Sequence, residues 1–145
     1  MAKNIKNYFI DKWKNKISNE DISRLQTYKT INSEFLAAKH LDIPFPLRKL
    51  ISKLRCSDHP LEIEKGRHAK LPREARLCKC QDGSIETEGH FLIDCRTYQP
   101  LRDLFEMNFD NLYDIFQMEN QISLGKFLLK AYTLRTNLLY GKRKE

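Results

Sequence analysis

The segment Leu77–Cys95 has the sequence LCKCQDGSIETEGHFLIDC and carries the residues that decide the fold of this chain. It holds three of the four cysteines of the 145-residue sequence and one histidine, at Cys78, Cys80, His90 and Cys95. Three thiolates and one imidazole are a complete ligand set for a tetrahedral zinc ion, and closed structural zinc sites use four such ligands. The clustering therefore predicts a structural Zn²⁺ that fastens the middle of the chain.

The spacing of these residues leaves two questions open. A single residue separates Cys78 from Cys80, which is tighter than the common spacing of two or more, so His68 is an alternative ligand in place of Cys78. In a regular α-helix His90 and Cys95 would lie about 140° apart around the axis. We expect both to face one ion only if that helix is short or Cys95 lies at its end. A second interpretation is that the segment holds buried free cysteines and a core histidine.

The remainder of the sequence is typical of a mainly α-helical domain with a small central zinc knuckle. Helical spacing and capping residues predict helices over 5–17, from Asn19 through Tyr28, from Asn32 or Ser33 through His40, from Pro46 through Leu54, over 90–95, from Pro100, and from near Ser123. Leu61 and Ile63 alternate with glutamates, which predicts a short extended segment. Asp82-Gly83 predicts a tight turn within the zinc-binding segment.

No linker divides the chain, so the sequence predicts a single domain over 1–145. Its parts are N-terminal helices over 1–46, a basic helix plus the zinc-binding segment over 47–102, and C-terminal helices over 103–145. No apolar run approaches the roughly 20 residues that cross a bilayer, and the N-terminus does not have the pattern of a signal peptide. We therefore expect an intracellular protein, in the nucleus or the cytoplasm, without a membrane partner. In that reducing setting clustered cysteines favour metal over disulfides.

The net charge of +7 is unevenly distributed along the chain. Residues 48–79 are basic, residues 82–119 are acidic, and the last residues are basic again. A basic surface next to the zinc-binding segment can attract nucleic-acid phosphates, although a solvated surface with excess lysine has the same composition. The candidate phosphate-contacting residues are Lys53, Arg55, Lys65, Arg67, Lys70, Arg73, Arg76 and Lys79.

A longer stretch of the sequence resembles a known family. It consists of Leu54–Arg67 (LRCSDHPLEIEKGR), Pro72–Cys80 (PREARLCKC), Ile85–Cys95 (IETEGHFLIDC), then Tyr98 and Leu101-Arg102. Over these roughly fifty residues the chain is similar to the zinc-binding domain downstream of the reverse transcriptase in non-LTR retrotransposon polyproteins. The family pattern has a cysteine pair, an acidic stretch, His-Phe-Leu and a final cysteine. Its first pair is separated by two residues, whereas one residue separates the pair here.

This resemblance implies a non-catalytic module that binds a structural Zn²⁺ through Cys78, Cys80, His90 and Cys95. It also implies an RNA or DNA backbone as partner, with an upstream reverse transcriptase as a further partner, and no small-molecule substrate. The sequence leaves open whether RNA or DNA is preferred. Two other interpretations stay open: a structural or protein-interaction module whose acidic 82–119 region contacts a partner, and a decayed element fragment without a selected role.

The sequence lacks the motifs that support common enzymatic chemistries. It has no Asp-Asp pair of the kind a polymerase uses, no phosphate loop, no nucleophile elbow and no His-Glu-x-x-His pattern. Cys56 and His59 are three residues apart, but a nucleophilic pair also needs an orienting group and a cleft. We expect His59 to pack against the Leu61–Ile63 segment instead, and we predict that the chain is not an enzyme.

Overall fold

The computed structural model describes residues 2–19, 26–31 and 39–141, and within these ranges the fold is helical. The helices are α1 (Ala2–Asn19), α2 (Gln26–Ile31), α3 (Phe45–Arg55), α4 (Glu62–His68), α5 (Gln99–Leu104), α6 (Leu112–Gln117) and α7 (Gln121–Tyr140). These ranges contain no β-strand, and Leu77 and Ile85 form an isolated antiparallel bridge. The predicted mainly α-helical class is therefore confirmed. No helix in the described ranges is long and apolar enough to span a bilayer.

The core is centred on the packing of α3 against α7. Ile51 and Leu54 of α3 are fully buried, as are Phe127 and Leu128 of α7. The predicted helix start is confirmed, because Pro46 occupies the first turn of α3, where its missing N–H leaves no hydrogen bond unmade. Burial of each such apolar side chain stabilises the fold by about 1.5–3 kcal/mol.

A glycine sets the distance between these two helices. A Cβ atom on Gly125 of α7 would lie 2.6 Å from Leu47 Cβ and 3.3 Å from Leu47 Cα of α3. The absence of a side chain therefore lets the two backbones approach closely.

We expect Gly125→Ala to lower the free energy of unfolding by about 1 kcal/mol. Alanine improves helix propensity by about 1 kcal/mol, but overpacking a tight contact costs about 1–3 kcal/mol, so the clash with Leu47 outweighs the gain. Urea unfolding monitored by circular dichroism measures the change. Lys126→Ala, at the next and exposed position, is the control and should leave stability nearly unchanged. A Gly125→Ala variant as stable as the native protein would contradict the close packing.

The predicted extended segment at Leu61–Ile63 is wrong. Residues Glu62–His68 form α4, and Leu61 lies at its N-terminal boundary. The first N–H groups of this helix are satisfied by a distant residue, because Glu62 N donates to Glu86 Oε2 at 2.7 Å and Ile63 N donates to Glu86 O at 3.1 Å. The acidic first turn also suits the positive end of the helix dipole. Tertiary contacts thus override the local alternation of apolar and polar residues.

The structure describes only part of the N-terminal region, so only some of its predicted helices can be compared. The helix predicted over 5–17 lies within α1, and Trp13 Nε1 donates to the hydroxyl of Tyr28 in α2 at 3.2 Å. Asn19, the predicted cap of a second helix, is instead the last residue of α1, so that prediction is wrong. Residues 20–25, and the predicted helix start at Asn32 or Ser33, lie outside the described residues. Residues Lys39–Asp42 form a 3₁₀ turn in which His40 is buried.

Candidate metal centre

The first two candidate ligands lie in a tight loop closed by the Leu77–Ile85 bridge. Cys78 N donates to Ser84 O at 2.8 Å, and Ser84 N donates to Asp82 Oδ1 at 2.8 Å. Gly83 has a φ of +83°, which favours glycine. The predicted Asp82-Gly83 turn is confirmed, and it directs Cys78 and Cys80 towards the same side of the loop.

The other two candidate ligands lie at the two ends of a single π-helical turn, His90–Asp94. Its hydrogen bond runs from Cys95 N to His90 O at 2.7 Å, five residues apart. Cys95 itself leaves the helix with a φ of −64° and a ψ of 118°. In a regular α-helix His90 and Cys95 would point apart. The turn is short and Cys95 lies at its end, as the sequence requires if both residues are to face one ion. Thr87 Oγ1 accepts from His90 N at 3.0 Å and fixes the start of the turn.

The four ligand atoms come together at one point in the fold. The sulfur atoms of Cys78, Cys80 and Cys95 and a ring nitrogen of His90 all lie within 4.8 Å of one another. Cys78 Sγ is 3.9 Å from Cys95 Sγ, and Cys80 Sγ is 3.4 Å from His90 Nε2. Cys80 is half-buried and the other three are buried. Such a donor set fits a metal ion.

His68, the alternative ligand, lies outside this cluster. It is exposed at the C-terminal end of α4, where its Nε2 is 3.3 Å from the guanidinium of Arg67. Cys56 is also outside the cluster and is exposed.

Burial governs the protonation of the cysteines when no cation is present. Desolvation raises the pKa of Cys78 well above its ordinary value, and it raises the pKa of Cys80 as well. Without a cation these thiols therefore remain protonated at neutral pH. Since the thiolate is the metal ligand, binding of an ion releases protons and is favoured at higher pH.

Arg102, which the metal-site prediction did not include, lies directly behind the cluster. Its side chain is 1% exposed, and its guanidinium donates to the carbonyl oxygens of Cys95 and Phe91 and to Gln99 Oε1. No carboxylate among the described residues forms an ion pair with it. Three thiolates and a neutral imidazole around a divalent ion carry a net charge of −1, so a loaded centre supplies the negative charge that this buried cation lacks.

A buried ion pair joins the cluster to α7. Arg135 is 4% exposed, and its Nε and one terminal nitrogen each lie 2.7 Å from an oxygen of Glu86. Glu62 lies 3.3 Å from the same guanidinium. Glu86 is fully buried, and its backbone N donates to Arg76 O at 2.9 Å beside the cysteine loop. These two parallel hydrogen bonds form a bidentate arginine–carboxylate ion pair, which is the stronger form of this contact. It fixes the cysteine loop and the start of α4 onto α7.

His59 packs as the sequence analysis expected, although against a helix start rather than an extended segment. Its side chain is 1% exposed, its Nδ1 accepts from Leu61 N at 3.4 Å, and its Nε2 lies 2.8 Å from Glu88 Oε1. Burial acts to raise the pKa of Glu88, but the hydrogen bond with His59 holds that pKa below its ordinary value. No hydrogen bond in the described structure joins His59 to Cys56, so the two do not form a nucleophilic pair here.

The predicted phosphate-contacting residues divide into three groups. Lys53, Lys65, Lys70, Arg73 and Lys79 are exposed. Arg67 and Arg76 are half-buried and are bonded to other parts of the protein. Arg55 is buried, with its guanidinium 5.5 Å from the ring of Phe116, so its prediction as a phosphate contact is wrong. Phe116 belongs to α6, so this contact lies between the last turn of α3 and that helix.

No protein-family model matches this chain, and no curated protein or solved structure matches it significantly. The site therefore has to be interpreted from its own geometry. It is a compact Cys₃His cluster in a helical fold, held between Arg102 and the Arg135–Glu86 pair.

Proposed function

We propose that this chain is a non-catalytic zinc-binding module that binds the backbone of nucleic acids. The resemblance of Leu54–Arg102 to the zinc-binding domain of retrotransposon reverse transcriptases motivates the proposal. The single observation that carries it is the convergence of three cysteine sulfurs and one imidazole nitrogen within 4.8 Å.

The choice of zinc rests on ligand type and geometry. Zinc binds thiolate sulfur at about 2.3 Å and imidazole nitrogen at about 2.0–2.1 Å in a tetrahedron, which requires separations of about 3.8 Å between two sulfurs and about 3.5 Å between sulfur and nitrogen. The Cys78–Cys95 distance of 3.9 Å and the Cys80–His90 distance of 3.4 Å fit these values, and all pairs of ligand atoms lie within 4.8 Å of one another. Four protein ligands close the shell, so no position remains for a catalytic water, which supports a structural role.

The nucleic-acid partner is supported by charge next to this centre. Lys79 lies between the two loop cysteines, and Arg73 precedes the loop by a few residues. Exposed lysine and arginine side chains contact phosphate without reading sequence. A bound metal orders the loop that presents Lys79, so the two parts of the proposal act together.

Elemental analysis of protein purified without added metal tests the metal part. We expect one zinc ion per chain that is released by a chelator. A folded protein that contains no zinc and takes none up would contradict the proposal.

Nucleic-acid binding should weaken steeply with salt. If all five exposed cations contact phosphate, the logarithm of the duplex DNA association constant should fall against the logarithm of salt concentration with a slope of up to about −4.5, at about −0.9 per contact. Fluorescence anisotropy from low to moderate salt measures this slope. Lys79→Gln should reduce its magnitude by about 1. Binding that does not respond to salt, or no binding by the zinc-loaded protein, would contradict a phosphate-contacting surface.

A further inference from the structure

A cavity of about 440 Å³ lies between α2, α4 and the turn that precedes His90. This volume is within the range of sites for small molecules, about 300–1,000 Å³. Three arginines and four hydroxyl side chains line it. They are Arg67, Arg73, Arg76, Thr27, Thr30, Ser57 and Thr87. Three of the predicted phosphate-contacting residues thus share one concave surface, although they are spread over ten positions of the sequence.

The positive charge of this cavity exceeds its negative charge. Glu64 is paired with Arg67 at 2.7 Å, and Glu88 lies 2.8 Å from His59. The guanidinium of Arg76 donates only to backbone carbonyls, and no side-chain hydrogen bond or ion pair of Arg73 occurs within the described part of the chain. Arg73 and Arg76 therefore line the cavity without a carboxylate partner. An anion bound there would accept charge-assisted hydrogen bonds from their guanidinium groups.

Arg76 is held rigidly at the cavity. Its Nε and both terminal nitrogens donate to Leu71 O and Ile63 O at 2.7–3.1 Å. Its side chain passes over Gly66, where a Cβ atom would lie only 2.5 Å from Arg76 Cγ. Three of the five N–H donors of the guanidinium are used in this way, which leaves two for a ligand. Because the side chain is already ordered, binding costs little further conformational entropy.

The remaining walls indicate what is attached to the anion. Ile63 and Leu112 add apolar surface, and the cavity is much larger than a phosphate group. Thr87 Oγ1 accepts from His90 N, so its O–H remains available as a donor to a ligand. Arginine donors, hydroxyl groups and apolar walls together suit a phosphate joined to a sugar and a base.

We propose that this cavity binds one phosphate-bearing nucleotide of a single-stranded nucleic acid. The inference rests on the proposed nucleic-acid function and narrows it to unpaired strands. A nucleotide within a duplex would have to leave its stack to enter, at a cost of a few kcal/mol. The protein should therefore bind an unpaired strand more tightly than the duplex of the same sequence.

Binding of labelled oligonucleotides to the zinc-loaded full chain tests this inference. The probes are a mixed-sequence single strand, as RNA and as DNA, and the DNA duplex of the same sequence. We expect Arg73→Gln to weaken single-strand binding about tenfold, which corresponds to about 1.4 kcal/mol. Arg96→Gln is the matched control, since Arg96 is exposed but does not line the cavity. Arg96→Gln should weaken the binding of both probes slightly and equally.

A second variant separates the cavity from general electrostatic attraction. Thr30→Tyr leaves the charge unchanged and places a bulky ring at the cavity wall. We expect it to weaken single-strand binding and to leave duplex binding unaltered. Zinc content and circular dichroism should match the native protein for each variant.

The outcomes distinguish this inference from the proposed function. Two results would overturn the inference that the cavity binds a nucleotide. In the first, Arg73→Gln and Arg96→Gln lower the affinity for both probes equally; in the second, Thr30→Tyr leaves single-strand affinity unchanged. Either result would leave a phosphate-contacting surface in place. Failure of the native protein to bind either probe would overturn both proposals.

Discussion

Cys95→Ala is expected to abolish metal binding and to unfold the central segment of the protein. Cys95 is fully buried and lies 3.9 Å from Cys78 Sγ, so its loss removes one of four ligands from a closed shell. Structural zinc contributes about 10–16 kcal/mol in apparent terms in zinc-finger peptides, which is comparable to or larger than the total stability of a typical domain. The zinc content measured by elemental analysis should fall from one ion per chain to none. Hydrogen exchange followed by mass spectrometry should show that residues 77–95 lose protection.

Cys56→Ala is the matched control for this experiment. Cys56 has the same side chain but is exposed and lies outside the cluster, so its replacement should change neither zinc content nor exchange. Chelation of zinc from the native protein should reproduce the exchange pattern of Cys95→Ala, which separates metal loss from a simple packing defect. Equal zinc loss from both variants would show that the ligand assignment is wrong.

Arg135→Met is expected to destabilise the fold by about 3–5 kcal/mol. Removing one member of a buried ion pair leaves the other charge unpaired, and that penalty is of this size. Glu86 is fully buried and would lose both of its 2.7 Å contacts with Arg135, keeping only the hydrogen bond from Glu62 N among its described side-chain contacts. Urea unfolding of the zinc-loaded protein measures the change, and zinc content should remain at one ion per chain under native conditions.

Lys130→Met on the exposed side of the same helix is the control, and it should change stability by less than about 0.5 kcal/mol. The double variant Arg135→Met with Glu86→Gln should be less destabilised than the sum of the two single variants, because neither charge then remains buried alone. Additive effects would contradict direct coupling between the two residues.

The four residues of the candidate metal centre could be predicted to cluster from sequence because their signal is local. Cys78, Cys80, His90 and Cys95 lie within eighteen consecutive positions, and the Asp82-Gly83 turn between them is encoded by those two residues themselves. Their convergence also depends on a π-helical turn, which the sequence allowed only as a short helix with Cys95 at its end.

The residues around the ligands could not be assigned from sequence because their partners are distant. The start of α4 is stabilised by Glu86, twenty-four positions away from Glu62, so local alternation predicted the wrong structure there. Arg135 did give a signal that could have been used, since it continues the buried stripe of α7 that includes Phe127, Leu128 and Ala131. A charged residue on an apolar stripe requires a buried counter-charge. Which carboxylate supplies it is visible only in the fold.

The loop that carries Cys78 and Cys80 is held by the Cys78–Cys95 contact and by the Glu86–Arg135 ion pair, and these close chain segments of different length. Cys78 and Cys95 are 17 positions apart, whereas Glu86 and Arg135 are 49 apart. Closing the longer loop costs about 1 kcal/mol more in chain entropy than closing the shorter one, and contacts between distant residues form more slowly during folding. The segment around the candidate ligands can thus assemble while the last helix is still unfolded. A growing chain that has emerged only as far as Arg102 already holds all four candidate ligands and the arginine behind them.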